Sequence, residues 1–104
     1  MARRNWGENT EHLSERAFTR QVLDLATLFN WRHYHNLYAP GSDRGWPDLV
    51  LVRGSCMILA ELKSDQGKLS WAQENWLGSL REVAGIEVHV WRPSDWDEIV
   101  TRLR

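Results

Sequence analysis

Apolar residues recur at three- and four-residue steps in two long stretches of the chain, which is the spacing of one face of an amphipathic helix. The first stretch predicts a helix over residues 10–29, capped at its start by Thr10 or Ser14. The second predicts a helix that begins at Ser70, where Gln73 three residues later completes a capping-box signature, and that ends at Gly85. Residues 93–103 predict a third, shorter helix.

Apolar runs between these helices predict strands. The predicted strands are residues 31–37, 49–53, 56–63 and 86–91. Gly54 and Ser55 alone separate the second strand from the third, which indicates a tight β-hairpin. The order α-β-β-β-α-β-α predicts an α/β fold in which helices flank a central mixed β-sheet. The helix between the last two strands makes the connection long enough for these strands to run parallel.

Length and composition indicate the class of protein. The chain has 104 residues, 42% hydrophobic and 26% charged, so we expect one globular domain over residues 1–104 with a loose segment over residues 1–9. The lone Cys56 cannot form an internal disulfide, which fits a reducing compartment. No apolar run reaches the roughly 20 residues of a membrane span, and no secretion signal is recognisable. We therefore expect a cytoplasmic protein without membrane contact.

The predicted hairpin determines which side chains face one another. If residues 54 and 55 form the turn, counting outward from it places Asp48 directly opposite Glu61. Directly paired residues point to the same face of a sheet with their Cβ atoms about 4.5–5.5 Å apart. Lys63, two residues beyond Glu61, lies on the same face. A turn of three residues would instead send Glu61 to the other face, so this arrangement is testable.

Two facing carboxylates repel each other, and a hard divalent cation such as Mg²⁺ relieves that repulsion because it prefers carboxylate oxygens. A cation held there polarises a phosphodiester and lowers the pKa of a bound water, while Lys63 either positions that water or stabilises negative charge on the phosphate. A structural reading remains open, in which Asp48 ends a loop and Glu61 pairs with Lys63 on an edge strand. The net charge of −1 argues against a protein that coats nucleic acid by bulk charge, but less against a nuclease with an acidic site.

The string Pro47-Asp48, followed by Glu61-Leu62-Lys63, resembles the motif of the PD-(D/E)xK nuclease superfamily. Further segments, in order along most of the chain, resemble the VRR-NUC branch, the virus-type replication-repair nuclease domain. These segments are Ser14-Glu15, Asn30-Trp31-Arg32, Tyr34-His35, Gly45-Trp46-Pro47-Asp48-Leu49, Gly67-Lys68-Leu69-Ser70 with Gln73, and Val88-His89-Val90-Trp91-Arg92-Pro93. The chain departs from the branch where Asp43 separates Ser42 from Arg44, because members often carry an adjacent Ser-Arg pair.

The resemblance implies a restriction-endonuclease-like core and a catalytic centre at the hairpin. Asp48 and Glu61 would bind Mg²⁺ or Mn²⁺ together with the backbone carbonyl of Leu62. Lys63 would be the catalytic lysine. Hydrolysis of DNA phosphodiester bonds would then proceed by a metal-activated water, without a covalent intermediate.

The resemblance also implies roles for residues outside the hairpin. Glu15 would be the acidic residue of the first helix and a further candidate metal ligand, and Gln73 would lie at the edge of the catalytic site. Both also have ordinary readings, Glu15 as a first-turn helix charge and Gln73 as a capping-box residue. Candidate DNA contacts are Arg44, His35, Lys68, Arg16 and Arg20.

Stand-alone members of this branch look like junction-cleaving enzymes that pair as homodimers. The resemblance therefore predicts an endonuclease for flap or Holliday-junction DNA in DNA repair, in the cytoplasm of a bacterial or virus-infected cell. Two other functions stay open. One is a catalytically inert nucleic-acid-binding module, and the other is a protein-interaction domain of a repair or replication complex. In the second, some of the seven tryptophans would anchor the interface.

Overall fold

The computed structural model describes residues 14–38 and 40–104, which form a four-stranded sheet flanked by helices. In chain order the elements are α1 (Glu15–Leu28), β1 (Arg32–His35), β2 (Leu49–Arg53), β3 (Cys56–Leu62), α2 (Trp71–Arg81), β4 (Glu87–Trp91), a 3₁₀ turn (Pro93–Asp95) and α3 (Trp96–Leu103). The strand order is β1-β2-β3-β4, with two antiparallel pairings and a parallel pairing of β3 with β4. The predicted mixed sheet and parallel crossover are confirmed. In the described part of the chain, no helix has the length and apolar character that crossing a bilayer requires.

The ends of α1 follow from local chemistry. Ser14 caps its start, because the Ala17 N–H donates to the Ser14 hydroxyl at 3.1 Å. The alternative cap, Thr10, lies outside the described residues. At the other end Asn30 adopts a positive φ of 68°, and the N–H of Trp31 donates to the carbonyl of Ala26 at 2.9 Å. This is a Schellman motif, which turns the chain from the helix towards the sheet.

Three predicted boundaries are wrong. β1 is shorter than residues 31–37, because the chain leaves the ladder after Asn36, whose N–H donates to the Asp48 carbonyl at 2.7 Å. Helix α2 ends at Arg81, before Gly85. The segment after Pro93 begins as a 3₁₀ turn, which the Asp95 N–H closes by donating to the Arg92 carbonyl at 2.8 Å, while the Asp95 carboxylate accepts the Arg92 N–H at 2.9 Å.

The β2–β3 hairpin has the predicted register. Gly54, with a φ of 61°, lies in the turn, a conformation that glycine adopts without steric cost. Arg53 pairs with Cys56, and the pairing continues without a bulge to Leu49 opposite Ala60. Every side chain of β3 therefore lies on the face that the two-residue turn predicts.

The core lies between the sheet, α1 and α3. The fully buried aliphatic side chains of β2 and β3 on this side are Leu49, Leu51, Ile58, Ala60 and Leu62, and they join residues of both helices in one cluster. Since side chains alternate along a strand, the neighbours of these residues face the opposite side, where α2 packs. Glu61 is one of those neighbours, and α2 contacts it directly.

Arg53 joins three segments that are distant in sequence. Its guanidinium donates to the Phe29 carbonyl at 3.0 Å and to the Leu103 carbonyl at 2.9 Å, so it satisfies backbone groups at the C-terminal ends of α1 and α3. The same group lies 4.4 Å from the centre of the Trp31 ring, whose Nε1–H also donates to Leu103 at 3.0 Å. The end of the hairpin is thereby fixed to both core helices.

We expect Arg53→Met to lower the free energy of unfolding by about 2 kcal/mol, because it leaves two part-buried carbonyls without their charged donor. Urea denaturation followed by circular dichroism measures the change. Arg81→Met is the matched control, because Arg81 is exposed in the last turn of α2, and it should change the free energy by less than about 0.5 kcal/mol. Equal effects of the two substitutions would contradict the role given to Arg53.

Candidate active site

Asp48 and Glu61 are brought together at the end of the hairpin. The β2–β3 register runs to Leu49 opposite Ala60, and Asp48 and Glu61 occupy the next position on the two arms of the hairpin. The Leu62 N–H donates to Oδ2 of Asp48 at 2.9 Å, which ties the Asp48 side chain to β3. The two carboxyl groups are close enough to alter each other's proton affinity.

Glu61 is an unusual buried acid. Glu61 is 1% exposed, and among the described residues it is the one polar or charged residue that is buried. Oε2 accepts a hydrogen bond of 2.8 Å from Nε2 of Gln73, whereas Oε1 is buried and has no hydrogen-bond partner within the described residues. A buried acceptor without a partner costs about 1–3 kcal/mol. Among residues 14–38 and 40–104 this oxygen therefore lacks the donor that such groups normally have, and a proton shared with the neighbouring Asp48 would supply one.

The electrostatics of the pair favour either a bound proton or a bound cation. Burial, followed by the negative charge of Asp48, raises the pKa of Glu61 to about 8, and the Lys63 ammonium opposes this shift. Burial also raises the pKa of Asp48, against the stabilising hydrogen bond from Leu62. Both acids thus resist carrying negative charge without a neighbouring positive charge.

Gln73 connects α2 to this pair. Its Oε1 accepts from the Ser70 N–H at 2.8 Å, and its own N–H donates to the Ser70 hydroxyl at 3.1 Å, so the predicted capping box is confirmed. The remaining amide group, Nε2, points to Glu61. The helix cap therefore fixes the side chain that orients the buried carboxylate.

Lys63 and Glu15 border the same side of the site. A Cβ built on Gly67 would lie 3.5 Å from Cδ of Lys63 and 3.5 Å from Oε2 of Glu15, so both side chains reach the same glycine. The negative charge of Glu15 raises the pKa of Asp48 and of Glu61, after the larger effect of burial. The structure thus brings Glu15 from the start of α1 into the neighbourhood of the predicted triplet.

The carboxylate pair fits a hard divalent cation. The available ligand atoms are carboxylate oxygens, one of them buried without a hydrogen-bond donor in the described part of the chain, and these are the ligands that Mg²⁺ and Mn²⁺ take. Within the described ranges, however, no three side chains of His, Cys, Asp or Glu are grouped as a preformed metal cluster. Glu15 is therefore near the pair without completing a three-residue ligand set.

The predicted DNA contacts divide into two groups. Arg16, Arg20 and His35 line an open groove of about 780 Å³ that also contains Asp48 and Leu62. Arg44 and Lys68 are exposed and do not line this groove.

Two residues near the site were not predicted from the sequence. Tyr38 lies in the groove, and its hydroxyl donates to the carbonyl of Trp46. Arg92 donates to the carbonyls of Ser64 and Gly67 at 2.6 Å each, and so shapes the loop that follows Lys63. Arg92 falls in one of the segments that resemble the VRR-NUC branch, and this resemblance could have indicated that Arg92 lies near the site. Tyr38 falls outside those segments.

The loop that carries Asp48 packs closely on α2. Gly45 has a φ of 94°, and a Cβ there would lie 2.5 Å from the carbonyl oxygen of Ala72, a distance that no side chain tolerates. Next to it, the ring centres of Trp46 and Trp76 lie 5.0 Å apart in an edge-to-face contact. Glycine at position 45 therefore permits the approach that brings Asp48 beside the helix carrying Gln73.

A mixed sheet with paired acids and a lysine at the end of one hairpin is the arrangement expected of a nuclease of the PD-(D/E)xK type. Comparison with known families agrees, because the profile of the VRR-NUC domain matches residues 2–95. The chain belongs to the VRR-NUC family, which is a nuclease family.

A solved structure described as a VRR_NUC domain protein is similar in fold, with a TM-score of 0.58 and 20% identity over 88% of this chain and 85% of that chain. No curated protein matches the sequence.

We expect the stability of the metal-free protein to fall as pH rises from about 5 to 8. Glu61 has a pKa of about 8 in the folded state and 4.5 as its ordinary value. Across this interval the folded protein binds more protons than the unfolded chain, so raising the pH favours unfolding. Urea denaturation in EDTA at successive pH values measures the effect.

Glu61→Gln provides the comparison, because its amide oxygen still accepts from Gln73 but does not titrate. This variant should show a flatter stability profile between these pH values. A wild-type stability that rises steadily over the same interval would contradict the buried, protonated state of Glu61.

Proposed function

We propose that this protein is a Mg²⁺- or Mn²⁺-dependent nuclease that hydrolyses phosphodiester bonds of DNA. The observation that supports this most directly is the buried Oε1 of Glu61, which has no hydrogen-bond donor among the described residues and lies beside the Asp48 carboxylate. The burial of two interacting acids is unfavourable for a purely structural hairpin, and a divalent cation removes that disadvantage. The membership in a nuclease family agrees with this reading.

In this proposal Asp48 and Glu61 hold the cation through their carboxylates, and the backbone carbonyl of Leu62 adds a third ligand. When bound, the cation supplies a Lewis acid that polarises the phosphodiester and lowers the pKa of a bound water. Gln73 orients Glu61, and the Leu62 N–H orients Asp48. These two hydrogen bonds keep the ligand oxygens in place before metal and substrate arrive.

Lys63 supplies the positive charge of the site. It is half-buried beside Glu61 and lowers the pKa of that acid. A lysine in this position stabilises the additional negative charge that the phosphate acquires in the transition state. Glu15, which approaches the same glycine as Lys63, would accept hydrogen bonds from water in the site and so position it.

For the substrate, we propose DNA with a branch, such as a flap or a four-way junction, bound by a homodimer in the cytoplasm. In the groove, Arg16 and Arg20 provide positive charge for the phosphates next to the acids, and His35 lines the same groove. The choice of branched DNA and of a homodimer rests on the resemblance to stand-alone members of the VRR-NUC branch.

The nuclease is tested with purified protein on duplex, flap and four-way-junction DNA in Mg²⁺, Mn²⁺ or EDTA. We expect cleavage with either metal and none in EDTA. Asp48→Asn should remove metal-dependent cleavage, and Lys63→Ala should lower kcat about 10²–10³-fold, as the loss of one transition-state charge contact does. The profile of cutting across the three DNA forms identifies the preferred branch.

Asp24→Asn is the matched control for the acid, because Asp24 is exposed on α1 and does not line the groove. This variant should cut like the wild type. Cleavage that persists in EDTA, or that survives Asp48→Asn, would contradict the mechanism. DNA binding without cleavage under every metal condition would favour the inert binding module instead.

We expect Gln73→Glu to lower cleavage about 10–100-fold, the usual cost of losing a residue that orients a metal ligand. The new carboxylate still accepts from the Ser70 N–H, but it repels Glu61 in place of donating to it. Ser70→Ala is the control, because it weakens the capping box and stability while the amide that reaches Glu61 remains. If Ser70→Ala reduced cleavage as much as Gln73→Glu at a temperature where both are folded, the orienting role of Gln73 would be wrong.

A further inference from the structure

Tyr38 lines the groove that contains Arg16, Arg20 and Asp48, and it has no part in the mechanism described above. Its side chain is 38% exposed. The hydroxyl donates to the carbonyl of Trp46, two residues before Asp48. The hydrogen bond fixes one end of the ring, while part of its surface remains open to the groove.

The ring lies within electrostatic reach of both acids. Burial, and then the negative charges of Glu61 and Asp48, raise the pKa of Tyr38 above its ordinary value. The phenol therefore remains protonated at neutral pH and keeps its hydrogen bond to Trp46. A group held at this edge of the groove can contact a base while the neighbouring phosphate lies beside the carboxylate pair.

The size and chemistry of the groove indicate what this ring contacts. A volume of about 780 Å³ lies in the range of clefts that hold a small organic ligand, so the open groove has room for a nucleotide. Arg16 and Arg20 supply cations for phosphates on one side. Tyr38 supplies an aromatic surface, and Leu37 beside it is apolar and 72% exposed. Cations beside exposed aromatic rings are the combination that binds single-stranded nucleic acid.

We propose that Tyr38 is the stacking surface for an unpaired base next to the scissile phosphate. Bases inside a duplex already stack on one another, so only an unpaired base offers a free face to the ring. The stacked base fixes the position of the neighbouring phosphodiester against Asp48. This inference rests on the proposed nuclease function and specifies its substrate as DNA with an unpaired nucleotide at the cutting site.

The test measures binding separately from cleavage. Fluorescence anisotropy in EDTA compares a labelled blunt hairpin duplex with the same duplex carrying a single-stranded thymidine arm. The proteins are the wild type, Tyr38→Leu, Tyr38→Phe and Tyr34→Leu. Tyr34 is the matched control, because it is 61% exposed on β1 and does not line the groove.

We expect Tyr38→Leu to weaken binding of the armed duplex about tenfold, which is within the range for the loss of one base–aromatic stack. Tyr38→Phe keeps the ring and should bind within about twofold of the wild type. The blunt duplex should bind all four proteins alike, and Tyr34→Leu should resemble the wild type on both DNAs.

Three results would overturn the inference. The first is an unchanged affinity of Tyr38→Leu for the armed duplex, and the second is an equal loss on both DNAs. The third is an equal loss in Tyr38→Phe and Tyr38→Leu, which would show that the hydroxyl acts through Trp46. If arm binding depends on Tyr38 but the wild type cuts no DNA with any metal, the stacking role stands and the nuclease proposal fails.

Discussion

The pairing of two acids across one hairpin is the constraint on which the rest of this structure depends. A two-residue turn sets the register, and the register places Asp48 opposite Glu61. Burying such a pair is unfavourable, because each acid disfavours the charge of the other and neither is well solvated. The surrounding elements then reduce that cost. The Leu62 N–H donates to one carboxylate, the Gln73 amide donates to the other, and Lys63 adds positive charge.

These supports come from separate parts of the chain, and the packing of the helices makes them coincide. Ser70 fixes Gln73 through the cap of α2, while Arg92 holds the loop between Lys63 and α2 by two backbone carbonyls. At the far end of the hairpin, Arg53 attaches the turn to the ends of α1 and α3. The sheet therefore presents its acids from a frame that is fixed at both ends, as a preorganised site requires.

Local rules account for what the sequence predicted well. The hairpin register, the cap of α2 and the parallel crossover depend on turn length, residue spacing and connection length, and all three are confirmed. The position of Glu15 at the start of the first helix, on its core-facing side, indicates that it could approach the site. Only the structure shows that its carboxylate lies near Gly67, as Lys63 does. The contacts of Tyr38 and Arg53 were not predicted, because their partners are backbone carbonyls elsewhere in the fold. The position of a carbonyl group depends on the path of the backbone, and every residue type has a carbonyl, so the sequence does not indicate which one a side chain will contact.

The contact between Gly45 and Ala72 bears on how this protein tolerates genetic change. Any side chain at position 45 would displace the first turn of α2, and Gln73 is in that turn. The buried carboxylate would lose its donor although neither acid nor amide had been altered. If the proposed nuclease function is correct, a random mutagenesis screen should therefore recover substitutions of Gly45 together with substitutions of the two acids. Position 45 is thus constrained by the close approach of the backbone to Ala72 and not by any chemistry of its own.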